Sequence, residues 1–236
     1  MSKSESSEMN ESIKVKDSDS TATLDKIDST YLWNEIRSVL NFDKGVFYTI
    51  REILLRPGLT VKHFLHRDRS QLVRPLVFII LCSLVYTLCQ QTFNFEDGYV
   101  GISFEQEPSV QAVFEWISTH YGYSNILISI CMGIWLRLFF SKEGFNFYEI
   151  LILLCYVVGV GMLFFAAIGI MGSLIDLKIL DKVFFLGVIY VIWAIANFFG
   201  QSRIMNYLKA VFAYFLAYIT FSFAAVLVGF ILKFIQ

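Results

Sequence analysis

The chain of 236 residues is rich in apolar side chains and almost neutral. Hydrophobic residues make up 56% of it, against roughly 45–50% in soluble domains, and they fall in long blocks. With 19 basic and 20 acidic residues there is no strongly basic surface for nucleic acid, so nucleic acid is not an expected partner.

Residues 1–30 contain mostly Ser, Asp, Glu and Lys with isolated aliphatic residues. Such a stretch buries too little apolar surface to offset the entropy of ordering. The sequence therefore predicts a disordered polar tail over 1–30.

The next segment, residues 31–74, is called the amphipathic segment below. Its apolar residues recur at helical spacing until Pro57-Gly58 interrupts the pattern, and a shorter piece follows with Val61, Phe64 and Leu65 on one face. We expect one or two helices lying on the cytoplasmic membrane surface. An ordinary soluble helical subdomain is the alternative. Its basic side chains are candidate contacts to anionic lipid: Arg51, Arg56, Lys62, Arg67, Arg69 and Arg74.

Two histidines in this segment, His63 and His66, share a helix face and stand near Asp68. Two ligands without a third, among basic neighbours, are a poor site for a cation. The four cysteines lie in apolar blocks, form no CxxC pair and have no partner at ligand spacing: Cys82, Cys89, Cys131 and Cys155. We predict no metal site, no disulfide framework and no cofactor.

Five apolar stretches follow, each close to the ~20 residues that cross ~30 Å of hydrocarbon. They are residues 75–93, 123–140, 148–172, 180–200 and 210–234. The loop between the first two, residues 94–122, is acidic, and Pro108 within it predicts the start of a short helix. The predicted fold is an all-α membrane bundle of about five spans, residues 75–236.

The basic residues are unevenly divided between the two sides that five spans would create. The side of the amphipathic segment also holds Arg137, Lys142, Arg203 and Lys209. The other side holds only Lys178, Lys182 and Lys233. Because cytoplasmic loops carry the excess of Lys and Arg, we predict a cytoplasmic N-terminus and an external C-terminus.

Polar residues near the cytoplasmic ends of the spans form one predicted cluster: Arg137, Glu149, Asn197, Gln201 and Arg203. The arginines could extend to lipid phosphates, with Glu149 paired to one of them. A polar vestibule for a lipid headgroup or a solute, and catalysis, are the alternatives. No phosphate-binding loop, HExxH, GxSxG or dinucleotide-binding turn occurs, so no catalytic residue is assigned.

Several short motifs resemble those of a family of bacterial multi-pass membrane proteins of unknown activity. They are Phe42-Asp43-Lys44-Gly45, Arg56-Pro57-Gly58, Arg74-Pro75, Arg137-Leu138, Asn146-Phe147-Tyr148-Glu149 and Phe198-Phe199-Gly200-Gln201-Ser202-Arg203. The resemblance implies a membrane bundle, expected in the cell inner membrane. Many members carry a cysteine-rich zinc ribbon before this region, whereas this chain has no cysteine before Cys82.

These observations favour a non-enzymatic membrane protein. Its expected partners are anionic lipids of the inner leaflet and, alternatively, another membrane protein or a second copy of the chain. A small transporter or channel with Arg137, Glu149 and Asn197 along its path is the second hypothesis. A membrane-embedded lipid-modifying enzyme is the third.

Overall fold

The computed structural model describes residues 45–93, 108–175, 180–200 and 204–235, all within one compact unit. These residues form eight α-helices and one short 3₁₀ turn, Ser141–Glu143, and no strand. The predicted all-α fold is confirmed. The predicted tail, the first part of the amphipathic segment and residues 94–107 lie outside the described ranges.

The helices are numbered in chain order. Two short ones come from the amphipathic segment, α1 (Val46–Leu55) and α2 (Pro57–His66). The others are α3 (Pro75–Phe93), α4 (Pro108–Thr119), α5 (Tyr121–Phe139), α6 (Phe147–Ile175), α7 (Leu180–Gly200) and α8 (Ile204–Ile235).

Within the described residues, four helices are long and apolar enough to cross a membrane, which is typical of a membrane protein. Their spanning parts are Pro75–Phe93, Gly122–Phe139, Phe147–Ser173 and Ile204–Phe234. The remaining predicted span is α7, which packs along α6 and α8 in the same bundle. Its apolar part, Phe185–Gly200, is shorter than the other four. A fifth crossing therefore stays a prediction.

Helices α3 and α6 run side by side in the same direction. Phe78 of α3 lies against Gly159 of α6, and Ser173 Oγ donates a 3.0 Å hydrogen bond to the carbonyl oxygen of Phe93, 80 residues away. Because Phe78 is level with Gly159, the start of α3 lies about two turns after the start of α6 along the bundle. The bundle end where α6 begins is called the α2 end below, because α1 and α2 contact α6 there, with the ring centroid of Phe64 lying 5.6 Å from that of Tyr156.

The described part of the amphipathic segment, residues 45–74, shares one hydrophobic core with the long helices. Ile53, Val61 and Phe64 are buried in the same cluster as Tyr156 and Phe198 of the bundle. Its buried face is therefore covered by protein, not by lipid. At the other end α4 starts at Pro108, as predicted, and buries Val110 and Ile117.

Candidate functional site

The break between α1 and α2 follows from Pro57, which has no N–H to donate to the carbonyl of Ile53 four residues before it. Tyr190 of α7 supplies the missing donor: its hydroxyl donates a 3.2 Å hydrogen bond to that carbonyl oxygen. Ile53 is fully buried, so this bond satisfies a group that water does not reach. A side chain of the bundle thus compensates the helix break.

A second tyrosine fixes the far end of the amphipathic segment. The buried hydroxyl of Thr49 donates to the carbonyl oxygen of Gly45 at 3.0 Å and accepts a 3.2 Å hydrogen bond from the Val73 N–H. The carbonyl oxygen of Val73 in turn accepts a 2.6 Å hydrogen bond from the hydroxyl of Tyr156 in α6. The start of α1 and the approach to α3 are therefore tied to each other and to the bundle.

Gly58, in the first turn of α2, allows this helix to approach α7 very closely. A Cβ atom at this position would lie 2.6 Å from the backbone carbonyl of Asn197 and would also meet its side-chain oxygen. Both residues of the Pro57-Gly58 pair are buried. The pair therefore ends α1 and places the next turn against the span.

An open cleft of about 450 Å³ lies beside this contact and is called the α2–α7 cleft. Its lining residues are Leu55, Arg56, Gly58, Leu59, Lys62, Trp193 and Asn197. Two cations and one amide therefore meet a tryptophan and leucines, with no acidic residue in the lining. Such a lining suits a phosphate group that is attached to an apolar chain. Arg and Lys bind phosphate, and Trp prefers the membrane interface.

Lys62 is held at the edge of this cleft by aromatic rings. Its Nζ lies 5.5 Å from the ring centroid of Phe198 and 5.9 Å from that of Phe145. Cation–π attraction of this kind contributes about 0.5–1 kcal/mol at exposed sites. The rings therefore position the ammonium group, which forms no ion pair with a described acidic residue.

A second groove, of about 500 Å³, lies on another side of α2 and shares Arg56, Leu59 and Lys62 with the cleft. It also contains acidic side chains, Glu52 and Asp68. The pKa of Asp68 is lowered, chiefly by the hydrogen bond from the Ser70 hydroxyl at 2.7 Å and also by the Ser70 N–H. Since these carboxylates repel anions, the α2–α7 cleft is the better anion site.

The histidines of the amphipathic segment line the second groove. His63 is half-buried and His66 is exposed. Across the described parts of the chain, no three His, Cys, Asp or Glu side chains gather closely enough to hold a metal ion.

The exposed surface of α1 and α2 carries several large apolar side chains. Phe47 is 77% exposed and Leu59 is 68% exposed, and Leu54 and Leu55 are exposed between them. Arg51 and Arg56 are exposed alongside. Apolar side chains that are mixed with arginines on a helix surface are typical of a membrane–water interface.

The six basic candidates of the amphipathic segment all reach the molecular surface. Lys62 is half-buried, and the rest are exposed: Arg51, Arg56, Arg67, Arg69 and Arg74. Only Arg56 and Lys62 line the α2–α7 cleft.

The predicted polar cluster is distributed over separate places. Asn197 lines the α2–α7 cleft with Arg56 and Lys62. Glu149 accepts a 2.7 Å hydrogen bond from the Asn146 N–H at the start of α6, which is a capping role. Arg137 is exposed on α5, and no described residue forms an ion pair with it or with Glu149. Gln201 and Arg203 fall in a stretch that the structure does not describe.

Sequence reasoning missed Trp193 and the aromatic cluster at the α2 end. Phe140 and Phe199 stack with their ring centroids 3.8 Å apart, and Phe145 lies 4.5 Å from Phe198. Lys209 also lies over a ring of this cluster, 5.0 Å from the centroid of Phe140. The paired phenylalanines at the ends of α5 and α7 were a visible signal, but in an apolar chain they resemble any lipid-facing pair.

Comparison with known proteins gives one match. Residues 43–87 match the model of a family described as protein of unknown function (DUF3667). This confirms the resemblance to a family of unknown function for α1, α2 and most of α3, the part that contains Arg56-Pro57-Gly58. No curated protein and no solved structure matches the chain.

Proposed function

We propose that this membrane protein, in which residues 43–87 match a family of unknown function, binds anionic lipid at the α2–α7 cleft. The observation that carries the proposal is the meeting of Arg56, Lys62 and Asn197 with Trp193 in one acid-free cleft. The headgroup phosphate would lie between the two cations, and the acyl chains would extend along the leucines and Trp193. The proposed activity is binding and not catalysis.

The surroundings of the cleft support a lipid in preference to a soluble anion. The leucines at the corner of α1 and α2 are exposed next to it, so the cleft opens among apolar side chains. Anionic lipid is concentrated in the cytoplasmic leaflet, and the excess of basic residues favours that side for the α2 end. We therefore place the N-terminus in the cytoplasm and the protein in the cell inner membrane as part of the same proposal.

The test uses the full chain in nanodiscs that contain neutral phosphatidylcholine and anionic phosphatidylglycerol. Native mass spectrometry counts the lipids that stay bound on release. We expect the protein to retain phosphatidylglycerol preferentially and the double variant Arg56→Gln/Lys62→Gln to lose it. At about 1 kcal/mol for each cation near a membrane surface, the loss is about 2 kcal/mol, or roughly 30-fold in affinity.

A matched control removes the same charge elsewhere. Arg69 and Lys142 are exposed and line neither the cleft nor the second groove, so Arg69→Gln/Lys142→Gln should keep the bound lipid. Equal loss in the control would mean diffuse attraction by the basic surface and would contradict a cleft site. Equal retention of neutral and anionic lipid by the unmodified protein would contradict the proposal itself.

A further inference from the structure

A small, partly open cavity lies between the helices of the bundle, separate from the α2–α7 cleft. Its volume is about 40 Å³, and helices α5, α6, α7 and α8 all contribute to its wall. Residues 158–165 of α6 line it, which places it near the middle of the Phe147–Ile175 helix. The cavity is therefore at the depth of the hydrocarbon core.

Polar side chains reach this cavity from two helices. Asn125 and Ser129 come from α5, and Tyr214 and Tyr218 come from α8. The Ser129 hydroxyl donates a 2.7 Å hydrogen bond to the backbone carbonyl oxygen of Asn125. It keeps lone pairs that can accept a further bond.

The side-chain amide of Asn125 makes no hydrogen bond to any described residue. An amide in an apolar medium is unfavourable without a hydrogen-bond partner. Asn125 is half-buried and lines the cavity, so a molecule bound there can hydrogen-bond to its amide. This is the observation that distinguishes the cavity from an ordinary packing defect.

Size and charge limit what the molecule can be. A single water needs about 10–15 Å³ of such space, so the cavity has room for about three or four waters. No Asp, Glu, Lys or Arg is among the lining residues, and an ion at this depth would have no opposite charge. We infer that the cavity is a binding site for neutral, water-sized hydrogen-bonding molecules, and that Asn125 holds water there.

The test is water-to-methyl magnetisation transfer in solid-state NMR of the full chain in lipid bilayers. Ile128 and Val158 line the cavity, whereas Leu153 and Val157 are fully buried in the core away from it. We expect water cross-peaks at the first pair of methyls and none at the second. In Asn125→Leu, which keeps a similar volume without the amide, the cross-peaks at Ile128 and Val158 should fall to the level of the control pair.

Two results would overturn the inference. One is a dry cavity, with no water contact at Ile128 or Val158 in the unmodified protein. The other is unchanged water contact in Asn125→Leu. Xenon binding gives an independent test of hydration in the unmodified protein. Dry apolar cavities bind xenon, whereas a cavity filled with water does not. Xenon-induced shifts at the Ile128 methyls would contradict a hydrated site, and their absence would support it.

Discussion

Gly58 determines how closely α2 approaches the bundle. A methyl group there would overlap the backbone carbonyl of Asn197, which cannot move without distorting α7. Overpacking of this kind costs about 1–3 kcal/mol. We expect Gly58→Ala to lower the unfolding temperature in detergent, measured by circular dichroism. Gly161→Ala is the control, because a Cβ there meets only Val191, at 3.9 Å. Equal stability of the two variants would contradict the close approach.

Tyr190 also stabilises the packing of α1 on the bundle, and this role can be tested. Its hydroxyl is the donor for the Ile53 carbonyl, which Pro57 leaves without a helical partner. Tyr190→Phe should destabilise the protein by about 1–3 kcal/mol, the range for a buried polar group left unsatisfied. Unfolding in detergent measures this. Tyr148→Phe should have no effect, since Tyr148 is 76% exposed and its hydroxyl makes no bond to a described residue.

Between α2 and α3 the chain turns around one carboxylate. Asp68 accepts hydrogen bonds from the Ser70 N–H, the Ser70 hydroxyl and the Gln71 amide. The pKa of Asp68 in the folded protein is lowered from 3.8. The hydrogen bonds to its carboxylate therefore stabilise the turn above pH 3.8 and are lost only as the pH falls through this lowered pKa. The Ser70 amide shift should titrate by NMR with a midpoint below 3.8. Asp68→Asn should abolish that titration, and a midpoint at or above 3.8 would contradict the role.

Local helical patterns in this chain could be predicted, and contacts between distant elements could not. Val61, Phe64 and Leu65 share a face at helical spacing, and all three are buried in α2. The bond from Tyr190 to Ile53 joins positions 137 residues apart, and no spacing rule relates them. For the candidate site as well, single residues could be predicted but their long-range contacts could not. Arg56 and Asn197 were each candidates, but only folding shows that they share a cleft and that Glu149 caps a helix instead.

At the scale of the whole molecule, the number of crossings determines where the C-terminus lies. Helix α7 contains 21 residues, about 32 Å of helix, which is enough to cross although its apolar part is short. We expect five crossings, so cysteines placed at Lys142 and Lys233 should label from opposite sides with a membrane-impermeant thiol reagent. The four native cysteines lie within helices α3, α5 and α6 and are replaced by alanine as background. Labelling of both from one side would mean that α7 does not cross.

The tyrosine bonds have a consequence for synthesis of the protein. Tyr156 and Tyr190 lie 83 and 137 residues beyond the carbonyls they contact, so α1 and α2 leave the ribosome long before their partners exist. During that interval the Ile53 carbonyl has neither a helical donor nor a tyrosine. The Ile53 carbonyl must exchange its hydrogen bonds to water or lipid headgroups for the bond from Tyr190 when α7 packs against α1. Helices α1 and α2 are thus made before the other described helices but are fixed only after α7 is made, and assembly of the α2–α7 cleft reports that α7 has joined the bundle.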